Sequence, residues 1–188
     1  MVSKRLATEG RRPPSRFGGG SVCRPSDDVA AEVRRDWFAQ RDLDDGCLLA
    51  AGLLHQAGKL PFTDLWMKAR LAMEANRPGM ARAAVELDAP DVTQVVAQIQ
   101  SGAMRYLASR AAVGTRKGQE LIVLALIKLA TQDPDQAATQ LDAKWSVQLR
   151  PEENHWLWGV IGRQAALKLQ DNALQYFSKV KRDKDLSD

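Results

Sequence analysis

The stretch from Gln119 to Phe177 constrains this chain most: helical apolar spacing, interrupted twice by proline. Leu121, Leu124, Ala125, Lys128 and Leu129 fall at i, i+3, i+4, i+7 and i+8, which places them on one stripe of a helix with Lys128 as the single polar member. Ile122 and Leu126 widen that stripe, so the helix is expected to be covered on more than one side. Asp133-Pro134 ends it. Proline disfavours helix at the residue before it, yet suits the first turn of the next helix. Asp133 is then the expected N-cap, its carboxylate accepting otherwise unpaired N–H groups. Ala137, Ala138, Leu141 and Trp145 form the next apolar face. Arg150-Pro151-Glu152-Glu153 repeats the device, with acid placed at the positive end of the helix dipole. Trp156, Val160, Arg163 and Leu167 follow at helical spacing, and Asp171 is expected to open a last helix with Leu174, Phe177 and Val180.

The same punctuation divides the preceding residues. Ser26-Asp27 caps a helix to about Arg41 with Val29, Val33 and Trp37 on one side, and Asp44-Asp45 opens a second with Leu48, Ala51 and His55, ending at Gly58. Thr63 caps a third, rich in Leu65, Trp66, Ala69, Leu71, Ala72 and Met73. Asn76-Arg77-Pro78-Gly79 turns into a fourth with Met80, Ala81, Ala84, Val85 and Leu87. Asp91 starts a short fifth, Ser101-Gly102 breaks it, and a sixth runs from Ala103 to Ala112. No segment alternates with period two, so the chain reads as all-α, with about ten antiparallel helices joined by short turns.

A loose repeat runs through the series. Leu71–Ala81, Ile127–Ala137 and Ala166–Ala173 each end one helix, turn, and restart at alanine. Ala81, Ala137 and Ala173 are 56 and 36 residues apart. A tetratricopeptide array would keep a period near 34, so the expectation is an irregular helical-repeat superhelix, an α-solenoid.

Charge separates two regions. The chain of 188 residues carries a net charge of +4. Residues 1–25 hold Lys4, Arg5, Arg11, Arg12, Arg16 and Arg24 against Glu9 alone, so the remainder is near neutral. Arg12-Pro13-Pro14 and Gly18-Gly19-Gly20 leave this tail no face to bury. A disordered basic tail is expected over 1–25, and one superhelical domain over 26–188. Such a tail can meet nucleic acid or anionic lipid, but a solvated terminus is the simpler reading, and no nucleic-acid partner is assigned. It lacks the apolar centre of an export signal. No apolar run reaches the ~18 residues of a membrane span.

Candidate sites are few. His55 and His155 have no partners at metal-ligand spacing. Cys23 and Cys47 have no CxxC neighbour, and Cys47 reads as a small hydrophobe, with a disulfide between the two left open. Glu152-Glu153 are adjacent at a helix start, which suits capping better than paired acid–base catalysis. Trp156 and Trp158, two apart, fall on different helical faces; one is expected in the core, and the other is a candidate for stacking on sugar, with packing between helices the simpler reading. Arg105, Arg110, Arg116 and Lys117 read as a solvated basic face. No catalytic, cofactor-binding or metal residue is assigned.

The body from about Asp44 to Asp188 resembles the superhelical, U-shaped domain of the soluble lytic transglycosylases, bacterial enzymes that cleave peptidoglycan glycan strands. Three segments carry the likeness, in order. The first is Cys47 to Leu87, with Gly58-Lys59-Leu60, Thr63-Asp64-Leu65-Trp66 and Arg70-Leu71-Ala72-Met73. The second is Gly118-Gln119-Glu120-Leu121 through Ala130, with Asp133-Pro134 and Ala137-Ala138. The third is Leu149-Arg150-Pro151-Glu152, Trp156-Leu157-Trp158-Gly159 and Gln164-Ala165-Ala166-Leu167. The resemblance implies a periplasmic scaffold that holds glycan strands for a separate lysozyme-like domain. That domain makes 1,6-anhydro products by internal attack of the muramic 6-hydroxyl, without cofactor. The family's catalytic acid is a Glu followed by Ser. Glu9, Glu32, Glu74, Glu86, Glu120, Glu152 and Glu153 all lack that neighbour. The chain is therefore expected to be a non-catalytic piece of such an enzyme, inactive alone. The alternative is a protein-binding helical-repeat scaffold with no glycan role.

Overall fold

A computed structural model describes residues 26–110 and 112–180. The basic tail, Cys23 and the residues from 181 onward lie outside the described residues. Among the described residues the regular structure is all helical, with no strand. Nine α-helices run in order: α1 Asp27–Ala39, α2 Asp45–Gln56, α3 Phe62–Glu74, α4 Pro78–Asp88, α5 Thr93–Ala108, α6 Arg116–Gln132, α7 Pro134–Gln140, α8 Pro151–Leu167 and α9 Ala173–Phe177. A 3-10 turn at Pro90–Val92 precedes α5, and a π turn at Leu141–Trp145 extends α7.

The capping chemistry read from sequence accounts for most helix starts. Ser26 accepts from the Val29 N–H at 3.4 Å, Asp44 from Cys47 at 2.8 Å, and Asp133 from Gln136 at 2.9 Å. Pro78, Pro134 and Pro151 each occupy a first helical position, where their missing N–H costs no hydrogen bond. Three expectations need correction: the Thr63 cap, the end of the helix after Gly102, and the start and buried face of the last helix. Helix α3 begins at Phe62 behind Pro61, so Thr63 lies inside it and caps nothing. The expected break at Ser101-Gly102 is present as a kink inside α5, where Gly102 leaves helical geometry and the helix resumes at Ala103, but the second part ends at Ala108 rather than Ala112. Thr115 caps α6 through the Gly118 N–H at 3.1 Å. Helix α9 starts behind Asn172 and buries Tyr176, while Leu174 faces solvent, because its short length lets it present one side to α8.

Three helix ends share one device. After α2, α3 and α8 the chain enters the left-handed region at Gly58 (φ 71°), Asn76 (φ 54°) and Leu169 (φ 55°). In each, the following N–H reaches back to a carbonyl in the last turn: Lys59 to Leu54 at 2.9 Å, Arg77 to Ala72 at 2.8 Å, Gln170 to Ala165 at 2.9 Å. Glycine and asparagine suit that conformation; leucine does not.

Helix α6 is the centre of the packing. It touches α3, α5, α7 and α8, and every residue from Glu120 to Ala130 is buried. Period 3.6 alone would bury only one stripe; contact on several sides buries the whole circumference. Helix α3 packs on α4, α6 on α7 and α8 on α9, while α6 lies between α3 and α8. The three alanines that mark the sequence repeat, Ala81, Ala137 and Ala173, are all buried at the start of the second helix of these pairs.

Candidate functional site

The chemically capable side chains converge where α3, α6 and α8 meet. Helix α3 contributes Arg70 and Glu74, one helical turn apart. Helix α6 contributes Arg116 and Glu120 with the same spacing, and α8 contributes Glu153, Trp156 and Arg163. Arg70 binds Glu120 Oε2 through Nη2 at 2.7 Å and Nε at 3.0 Å, and its Nη2 also reaches Glu153 Oε1 at 3.4 Å. Arg116 donates to Glu120 Oε1 at 2.5 Å and makes a second, short ion pair with Glu153. Arg150 adds its backbone N–H to Glu153 Oε2 at 3.0 Å and its guanidinium to Oε1 at 3.2 Å. Trp156 donates its indole N–H to Glu74 Oε1 at 2.6 Å, and Arg163 lies 3.5 Å from Glu74 Oε2.

Glu120 and Glu153 are essentially inaccessible to water. Burial pushes the Glu153 carboxyl upward. The Arg150 N–H and the charges of Arg70 and Arg116 outweigh that and hold it below the ordinary carboxylate range. A carboxylate held ionised by three arginines has no proton to give near neutrality, so it is unsuited to general-acid work. The cluster's evident role is to fix three helices in one register, since a buried charge is tolerated only when paired and hydrogen-bonded.

The sequence candidates resolve as follows. Glu153 does cap α8, as expected, but it also anchors this cluster. Trp156 and Trp158 are both buried in inter-helix packing, so the sugar-stacking candidate is not an exposed ring; α8 is covered by α6, α7 and α9, so opposite faces are both interior. Trp158 stacks on Tyr176 with ring centroids 5.9 Å apart. Arg116 leaves the proposed solvated face and joins the cluster, because the start of α6 lies beside α8. Lys117 does reach outward, pairing with Asp91 at 3.1 Å. His55 places Nδ1 2.9 Å from the Leu60 carbonyl and Nε2 3.5 Å from Asp88, which also accepts from Trp66 at 2.9 Å, a junction of α2, α3 and α4. His155 is partly buried on α8. Cys47 is partly exposed and free, its thiol pushed up by burial and by the nearby Asp44 carboxylate.

Sequence reasoning missed Arg70, Glu74 and Glu120 as partners. The available signal was a charged residue inside an otherwise apolar helical run, as at Arg70 between Ala69 and Leu71. Lys128 gave that signal and was noticed: it is buried and donates to Asn76 Oδ1 at 3.2 Å, tying α6 to the α3–α4 turn.

No protein-family model matches this chain, and neither a curated protein nor a solved structure shows significant similarity to it. Among the described residues no helix is long and apolar enough to cross a membrane.

Proposed function

We propose that this chain is a helical-repeat scaffold: the superhelical, non-catalytic portion of a peptidoglycan lytic transglycosylase, which holds glycan strands for a cutting domain. One observation carries the reading most of the way. The segments with the family likeness include helices α3, α6 and α8, and these are the helices bound together by the Arg70–Glu120–Glu153 cluster. In the hairpins α3/α4, α6/α7 and α8/α9 the first helices lie side by side, α3 on α6 and α6 on α8, an arrangement compatible with a superhelix. Leu49 and Leu53 on α2 and Leu174 on α9 remain exposed, as in a stack that buries apolar faces only between neighbours. The buried carboxylates are committed to arginines, which favours a supporting over a cutting role. A periplasmic location belongs to the same proposal.

Sedimentation with purified peptidoglycan tests it. The full chain is expected to co-sediment at low salt and to release no anhydro-muropeptides above a boiled control. Absence of binding at low salt would remove the glycan role and leave the alternative, a helical scaffold that binds protein. Turnover by the pure chain would overturn the non-catalytic assignment.

A further inference from the structure

A cleft of about 540 Å³ opens where the end of α1 passes α3, α4 and α8. Its apolar lining includes Phe38, Leu71, Met80 and Trp156, and its polar lining is Gln40, Arg41, Lys68 and Arg77. That volume falls in the range of sites for small organic molecules. Three of the four polar groups are cations, and among the described residues no Asp or Glu lines the cleft. Asp42 lies in an adjoining depression shared with Arg41 and Arg77.

Lys68 is the unusual member. It is only 3% exposed, yet among the described residues it has no carboxylate partner. Its ammonium donates to the backbone carbonyl of Gln40 at 2.5 Å and sits 5.5 Å from the centroid of the Trp37 ring. Burial, then the positive charge of Arg77, lowers its affinity for the proton. The buried Arg70, Glu120 and Glu153 are matched by opposite charges, and the buried Lys128 meets the Asn76 amide oxygen. Gln40 adds a second unmet group: its side-chain Nε2 is buried and has no acceptor. Arg77 spends Nη1 on the Arg41 carbonyl at 2.5 Å, and among the described residues no carboxylate matches its charge. A buried cation without a counter-charge is destabilising, and so is a buried amide N–H without an acceptor. One anion supplied from solution would satisfy both.

We propose that this cleft binds a small organic anion, a carboxylate or phosphate carried on an apolar, ring-sized body. The anion meets Lys68, Gln40 Nε2 and Arg77, and the body lies against Leu71, Met80 and the Trp156 ring. The proposal is independent of the glycan role: a failed peptidoglycan sedimentation leaves it standing.

Calorimetric titration of the full chain tests it with three probes: N-acetylmuramic acid for a carboxylate, glucose 6-phosphate for a phosphate, and neutral N-acetylglucosamine. One or both anions are expected to bind at least about tenfold more tightly than the neutral sugar, and their ranking identifies the anionic group. Lys68→Met is expected to cut that affinity at least about tenfold while leaving the melting temperature unchanged or higher, the opposite of a purely structural lysine. Arg77→Gln, on the rim, is expected to weaken binding with no change in folding, and it decides the matter if Lys68→Met does not fold. No saturable binding of either anion up to about 10 mM, equal binding of the neutral sugar, or unchanged affinity in Arg77→Gln would each overturn the proposal.

Discussion

Trp156 donates its indole N–H to Glu74 across 2.6 Å, joining α8 to α3 over a sequence separation of 82 residues. The Arg70 guanidinium lies 5.9 Å from the centroid of the same indole ring. Trp156 is thus both packing and a hydrogen-bond donor to a buried carboxylate. Trp156→Phe keeps most of the apolar surface and removes the donor. It is expected to destabilise by roughly 1–3 kcal/mol, with a fall in denaturant midpoint at constant slope. A midpoint unchanged within error would mean that another group compensates Glu74.

The Arg70–Glu120–Glu153–Arg116 cluster should be strongly non-additive. Arg70→Met leaves Glu120 and Glu153 short of a partner in the interior, at an expected cost of about 3–5 kcal/mol. Replacing Arg70 and Glu120 together by apolar residues of similar size is expected to recover part of that loss. Urea titrations of the two single variants and the double variant form the cycle that measures the coupling. Additive single effects would mean that the two residues act independently.

Acid should weaken the fold through Glu153. Its carboxyl titrates lower in the folded chain than in the unfolded one. The stability it contributes is therefore complete above the unfolded value and is lost as pH falls through the folded value. The melting temperature is expected to drop steeply below about pH 4.5. In Glu153→Gln the drop should be shallower, from a lower plateau at neutral pH. An equally steep acid limb in that variant would assign the acid sensitivity to other carboxylates.

Leu169 holds φ 55° at the end of α8 while its side chain is 90% exposed. Left-handed geometry costs a leucine roughly 1–2 kcal/mol, and almost no packing is lost when the side chain goes. Leu169→Gly is expected to raise stability by about 1 kcal/mol, read as a higher melting temperature. A lower one would mean that the added freedom of the unfolded chain outweighs the relief of strain.

Helix α8 lies so close to α9 that a Cβ on Gly162 would come within 3.0 Å of the Phe177 ring. Gly162→Ala gains helix propensity but must move that ring. A net loss of stability is expected, with selective loss of protection from hydrogen exchange in α9. Uniform protection across α8 and α9 would show that the ring yields at no cost.

Much of the local architecture was written in the sequence. Asp133-Pro134 and Arg150-Pro151-Glu152-Glu153 gave their helix starts because capping and proline geometry act within three or four residues. The breadth of the α6 stripe announced its coverage, and the three buried alanines marked equivalent turns. Thr63 misled because Pro61-Phe62 could already begin the helix, whereas Gly102 did mark the point where the backbone leaves helical geometry. What tertiary structure alone decided was the meeting of Arg70, Glu120 and Glu153, the burial of both Trp156 and Trp158, and the placing of Lys68 with Gln40 and Arg77. Helical period fixes which side of a segment a residue occupies. Which other segment arrives on that side depends on the packing of the whole chain, and partners 50 or 83 positions apart have no local interaction to reveal them.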